Sequence, residues 1–207
     1  METEEEKINK LRQYCWDNSL QTFGTSYIFS KRAYHFERLI SSLKIFGIIV
    51  PIAVGATAIG YGFNSDILKY SIAISIPLTI IQLIISVFAI VNKWDDNLSY
   101  SFESVIDNNS LSDSFKKLGK FPPEIFQEFV HEFEVLETKL KSRIQQDAKF
   151  NIKEKELRMG MRNALREFQR PCVGCKVVPL SMESTDCDIC GKFNNNLIKK
   201  LFPWMKM

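Results

Sequence analysis

The stretch that decides the fold is IFGIIVPIAVGATAIGYGF, residues 45–63, followed after a polar turn by YSIAISIPLTIIQLIISVFAIV, residues 70–91. The first run holds 19 residues and the second 22, and neither contains Asp, Glu, His, Lys or Arg. A helix needs ~20 apolar residues to cross about 30 Å of hydrocarbon, so each run is long enough to span. A buried core helix passes the same length test. Soluble helices, however, carry polar residues along one face, and two charge-free runs joined through Asn64-Ser65-Asp66 favour a transmembrane hairpin.

Averaged over all 207 residues the chain is ordinary: 45% hydrophobic, 25% charged, net charge +3. Those values exclude a disordered chain, a secreted disulfide scaffold and a strongly basic nucleic-acid coat protein. Lys31, Arg32, Arg38 and Lys44 precede the first span and Lys93 follows the second, with Trp94 suited to the interface, whereas the turn offers only Lys69. Basic residues near span ends tend to stay in the cytoplasm, so both termini are expected there, at an inner membrane. The acidic start Glu4-Glu5-Glu6 is unlike a secretory signal.

Residues 1–44 read as cytoplasmic helices, Lys7 to Phe23 and Tyr27 to Leu43, divided near Gly24. Residues 92–170 read as a cytoplasmic helical domain. Its first helix runs from Trp94 to Lys120 and is stopped by Phe121-Pro122-Pro123, a helix-start signal. From Glu124 to roughly Asn151, Phe126, Phe129, Val130, Phe133, Leu136, Leu140 and Ile144 recur at helical spacing. Lys153 to Gln169 continues the pattern, with Arg158, Arg162 and Arg166 forming either a solvated face or a contact for lipid phosphate, a partner or nucleic acid. Strand signals are nearly absent. The expected class is an all-α membrane protein with a small cysteine-rich module after the helices.

Within the second span the polar residues Ser71, Ser75, Thr79, Gln82 and Ser86 fall at steps of three and four, on one side of a helix. The first span has a line of small or kinking residues, Gly47, Pro51, Gly55, Ala58 and Gly62. Such faces pack membrane helices together. Alternatively, in an oligomer, Thr79 and Gln82 line a narrow wet path. Two helices enclose no lumen, so any channel needs several copies. The absence of ionisable residues at membrane depth argues against a coupled transporter.

Cys172-Val173-Gly174-Cys175 is followed, eleven residues later, by Cys187-Asp188-Ile189-Cys190, two CxxC pairs within residues 171–193. This is a close variant of the four-thiolate zinc pattern and predicts one structural Zn²⁺ per chain. Two disulfides or a redox centre would use the same residues, but a reducing cytoplasm and the lack of a βαβ context disfavour both. Residues 194–207 form a basic amphipathic tail. Lys199, Lys200 and Trp204 there suit either the inner leaflet or packing as a terminal helix. His35 and His131 stand apart from any nucleophile, and no phosphate loop or hydrolase signature is present, so no enzyme is expected.

The order of parts resembles a known family. The aromatic and basic helical segment Tyr27 to Lys44, the charge-poor hairpin and the long helices after Lys93-Trp94 are similar to the SLATT proteins, two-transmembrane effectors of bacterial conflict systems. The CVGC and CDIC pairs resemble the mobilome CxxCx(11)CxxC proteins, which share that layout. The resemblance implies an oligomeric defence effector that forms a depolarising pore when a separate sensor partner activates it. A membrane-anchored adaptor whose zinc module and Arg158 to Arg170 segment bind a partner protein or nucleic acid is the alternative.

Overall fold

The computed structural model describes residues 3–62 and 64–193. The described residues form five helices and no strand: α1 Glu4–Tyr61, α2 Asp66–Val91, α3 Trp94–Lys120, α4 Phe126–Asp147 and α5 Glu154–Glu167. They divide between two compact units, Lys31–Phe102 on one side and Met1–Ser30 with the chain from Glu103 onward on the other.

In the second of these units the N-terminal half of α1 lies antiparallel to α3. Ser19 Oγ donates to the Ser112 carbonyl and Ser112 Oγ to the Ser19 carbonyl, each at 2.8 Å, while Arg12 Nε donates to the Gly119 carbonyl at 3.0 Å. Short side chains make this approach close: Cys15, Ser19, Thr22 and Ser26 are buried at steps of four, three and four. Thr22 and Ser26 satisfy their hydroxyls on carbonyls one turn back, so burying them leaves no polar group unpaired. Cys15 joins Leu111, Phe115, Leu118, Phe129 and Leu140 in an apolar cluster that fastens α4 to the pair. Burial pushes the Cys15 thiol up to about 11.

The expected division of the N-terminal segment near Gly24 is corrected by the structure, since α1 is one helix of 58 residues. Gly24 is a crossing point instead. A Cβ there would lie 3.1 Å from the Gly160 carbonyl oxygen on α5, and a Cβ on Gly160 would lie 2.6 Å from the Gly24 oxygen. Glycine's cost of about 1 kcal/mol in a helix interior is offset by the packing that the missing side chain permits.

An ion network centred on the buried pair Arg143 and Asp147 ties α4 to α3, with Glu103 and Asp107 half-exposed at its rim. Arg143, only 3% exposed, reaches Asp147 at 2.9 Å, Asp107 at 2.7 Å and Glu103 at 3.1 Å. Burial alone would depress the guanidinium, but the hydrogen bonds it donates to these three carboxylates outweigh that and raise its pKa. Ser104 and Asn108 complete the Asp147 carboxylate at 2.9 Å each.

The unit Lys31–Phe102 contains the two segments that are long and apolar enough to cross a membrane. Ser65 caps α2 by accepting from the Leu68 N–H at 3.2 Å, and Gly62 turns the chain at φ +80°. Along α1 the less exposed positions are Leu43, Gly47, Val50, Val54, Thr57 and Ala58; along α2 they are Leu68, Ser71, Ser75, Gln82, Ser86 and Ala89. The isoleucines point away: Ile48, Ile52, Ile59, Ile74 and Ile84 are each about 60% exposed or more.

The expected small-residue face of the first segment therefore divides. Gly47 and Ala58 lie on the sheltered line, but Pro51, Gly55 and Gly62 are exposed, and a Cβ at Gly55 or Gly62 would meet nothing within 4 Å. Thr79 leaves the polar stripe in the same way, exposed and donating to the Ser75 carbonyl at 2.7 Å. The cause is helical phase. Each four-residue step turns about 40° past a full rotation, so strict fours drift off a face that alternating threes and fours hold.

Candidate metal centre

α5 positions the cysteine module. Its last turn ends in left-handed Gln169 (φ 49°), with Arg170 N–H donating to the Leu165 carbonyl at 3.0 Å, which delivers Cys172 onto the bundle. Cys172 and Cys190 are 0% and 1% exposed and share an apolar cluster with Leu20, Ala164 and Leu165. Phe168, on the same cluster, packs edge-on against Trp16 and Phe23 of α1.

Each CxxC pair closes the same turn. The N–H after the second cysteine bonds the carbonyl of the first, Lys176 to Cys172 at 2.8 Å and Gly191 to Cys187 at 2.9 Å. Left-handed residues follow, Lys176 (φ 59°) in the first pair and Lys192 (φ 53°) in the second. Gly191 is required sterically, because a Cβ there would overlap the Thr185 carbonyl oxygen.

The four sulfurs converge. Cys172 Sγ is 3.9 Å from Cys187 Sγ, Cys175 Sγ is 3.8 Å from Cys190 Sγ, and all four lie within 4.8 Å of one another. A tetrahedral ion with metal–sulfur bonds of about 2.3 Å sets sulfur–sulfur edges of about 3.8 Å, against ~2.05 Å for a disulfide. The donor set thus fits a four-thiolate metal ion. The sulfurs differ in their electrostatics. The Cys190 and Ile189 amides hold the Cys187 thiol down to about 6, whereas burial pushes Cys190 up to about 12. Four thiolates this close need a cation at their centre.

Across residues 12–193 the chain matches the family model described as Mobilome CxxCx(11)CxxC protein. The chain belongs to that family. The pairs that give the family its description are Cys172–Cys175 and Cys187–Cys190, so its signature and the converging sulfurs coincide. No curated protein and no solved structure matches the chain.

The charged face expected on α5 is not what forms. Arg162 is 6% exposed and turned into the module, with Nε donating to the Ser181 carbonyl at 2.8 Å and Nη1 to the Cys190 carbonyl at 3.3 Å. Arg158 pairs with Glu154 at 2.8 Å, and Arg166 reaches Asn163 at 3.5 Å. At steps of four the three arginines cover only about 80° of the helix, with Arg162 at the centre of that arc facing the module and Arg158 and Arg166 half-buried on either side. Lys199, Lys200 and Trp204 lie outside the described residues. In the apolar unit, Gln82 Nε2 stands 3.5 Å from the Leu43 carbonyl, in the space left by Gly47. Arg143 and its carboxylates were not singled out from sequence, although Glu103 and Asp107, like Arg143 and Asp147, stand four apart on their helices.

A closed Cys₄ site offers no open coordination position, so an ion held there would tie loops together. Here the loops are the two CxxC turns that follow α5, packed on Ala164 and Leu165 of α5 and Leu20 of α1.

Proposed function

We propose that the chain is a two-span inner-membrane effector of a mobile element's conflict system, similar to the SLATT proteins, that works as an oligomer and depolarises the cell when activated by a separate sensor partner. The observation that carries the reading is the hairpin's outer surface: isoleucines uncovered by the rest of the chain along both apolar segments. Uncovered surface of that size calls for lipid or further copies of the chain. Both termini lie in the cytoplasm on this reading, following the basic residues at Lys31–Lys44 and Lys93. The metal is Zn²⁺ and structural, and no covalent chemistry is assigned to the chain.

Ion passage then runs between the hairpins of neighbouring copies. Gln82 is spent on the sheltered line against Leu43, so Thr79, on the outer surface, is the polar side chain offered to a neighbour. Overproduction populates an active oligomer by mass action. The test is a voltage-sensitive dye in bacteria expressing wild type or Thr79→Val at matched membrane levels. Wild type should depolarise the cells and Thr79→Val should do so less. Cells that stay polarised despite abundant membrane-inserted protein would refute the pore.

A second reading, a membrane-anchored adaptor, is favoured by one observation: Val173, Val177 and Leu180 on the cysteine module are 72%, 61% and 86% exposed. Apolar tips of this kind suit a protein partner, with nucleic acid the less favoured alternative because Arg162 is turned inward. Partner capture that is lost in Cys187→Ser, with the membrane potential untouched throughout, would select it.

A further inference from the structure

Among the described residues two arginines are buried, and they differ in what balances them. Arg143 has three carboxylates within 3.1 Å. Arg162, 6% exposed, has no carboxylate within ion-pairing distance among the described residues. Its donors meet the carbonyls of Ser181 and Cys190, the Thr185 hydroxyl at 3.4 Å and, at 3.9 Å, the Cys190 sulfur. A guanidinium cannot shed its proton, so a charge taken from water at this depth needs an anion close by. The nearby Lys192 is already committed to Asp188 at 2.6 Å.

We propose that Arg162 is the counter-charge of the metal centre, a positioning residue that sets how tightly a divalent ion is held by Cys172, Cys175, Cys187 and Cys190. The proposal rests on the metal reading above. A divalent cation on four thiolates carries two net negative charges, and the guanidinium beside Cys190 removes one of them. Two disulfides would be neutral and would leave Arg162 buried without a counter-ion. The same residue therefore favours the metal-loaded centre over the oxidised one. It also anchors the loop: Ser181, Thr185 and Cys190 all lie beyond α5, and one fork on Arg162 collects them.

The test uses the full-length chain in detergent micelles loaded with Co²⁺, whose sulfur-to-cobalt absorption reports thiolate ligation, and compares wild type with Arg162→Gln and Arg162→Lys. Arg162→Gln should pass cobalt to a chromophoric chelator about 10-fold faster or more, the scale of outer-shell changes at metal sites. Its charge-transfer band should move to lower energy, because the thiolates lose a neighbouring cation. Arg162→Lys keeps the charge and should stay within about threefold of wild type in release, with a band near the wild-type position. Wild-type release and an unmoved band in folded Arg162→Gln would reduce the residue to a loop anchor and overturn the proposal. Should Arg162→Gln not accumulate, Arg162→Lys decides: a folded lysine variant that loses cobalt as fast as 10-fold overturns the charge argument. Wild type that shows no sulfur-to-cobalt band would instead sink the metal reading itself, whatever the variants do.

Discussion

Replacing Gly160 by alanine tests the crossing of α1 and α5. The added Cβ would stand 2.6 Å from the Gly24 carbonyl oxygen and 2.8 and 2.9 Å from Cγ1 and Cδ1 of Ile28. The side chain of Ile28 can rotate, but the carbonyl belongs to a continuous helix and cannot. Relief to an ordinary contact at 3.4 Å requires the helices to part by roughly 0.8 Å, a gap that forfeits a quarter to a half of the dispersion energy across the contact. Overpacking of this kind costs about 1–3 kcal/mol, and alanine's better helix propensity returns about 1. The net expectation is a loss of up to about 2 kcal/mol, or a Tm lower by up to about 8 °C for a chain of this size. Gly24→Ala, whose Cβ would sit 3.1 Å from the Gly160 oxygen, should lose less. Thermal unfolding followed by far-ultraviolet circular dichroism of the metal-loaded protein reads both. A Gly160→Ala protein more stable than wild type by the propensity gain alone would mean that the two helices do not meet there.

Thiol counting checks the cysteine assignments: metal-loaded protein should give almost no reaction with an alkylating reagent at pH 8, and a chelator, by removing the ion that holds the cysteine module folded, should open the module and expose four reactive thiols, the buried Cys172 and Cys190 included. Cys15 should remain silent until denaturant is added, because burial pushes it to about 11 and leaves roughly one in a thousand as thiolate at pH 8. Five thiols reacting after chelation alone would place Cys15 outside the core. Arg143→Leu should destabilise the helical bundle by about 3–5 kcal/mol in denaturant unfolding, since it strands the buried Asp147 carboxylate, whereas Asp147→Asn should cost less. Equal, small effects would show the network to be solvated.

What the sequence revealed and concealed follows from the range of each signal. α3 spans Trp94–Lys120 as read, because Lys93 and Phe121-Pro122 bound it locally. The two apolar segments and the four cysteines were legible for the same reason: length without charge and fixed cysteine spacing are both local patterns. Gly24 was misread as a break because its reason for being glycine sits on another helix, at Gly160. Arg162 was misread because its partners Ser181, Thr185 and Cys190 lie on loops without periodicity. The stripes in the apolar segments are lines of residue type in the sequence, but threes and fours drift differently around a helix. Only the structure separates Gly47 and Gln82, which meet, from Gly55 and Thr79, which face outward.

That separation bears on how assembly would work. α1 is one helix whose buried line Cys15, Ser19, Thr22 and Ser26 is made of small hydroxyl and thiol side chains, and whose later residues expose isoleucine instead. A hydroxyl bonded to its own helix can be buried against another helix in water, where hydrophobic neighbours supply the drive. In lipid that drive is gone, and association depends on close approach and on shared hydrogen bonds. On the membrane reading proposed above, the hairpin has placed its one interhelical hydrogen bond among the described residues, from Gln82 to Leu43, on the sheltered line. Its outer surface keeps Gly55, Gly60 and Thr79, groups that permit close approach but bind weakly one by one. An assembly built on such contacts is weak per hairpin and responds to small changes in local concentration. This is the behaviour required of an effector that stays silent until a partner gathers its copies.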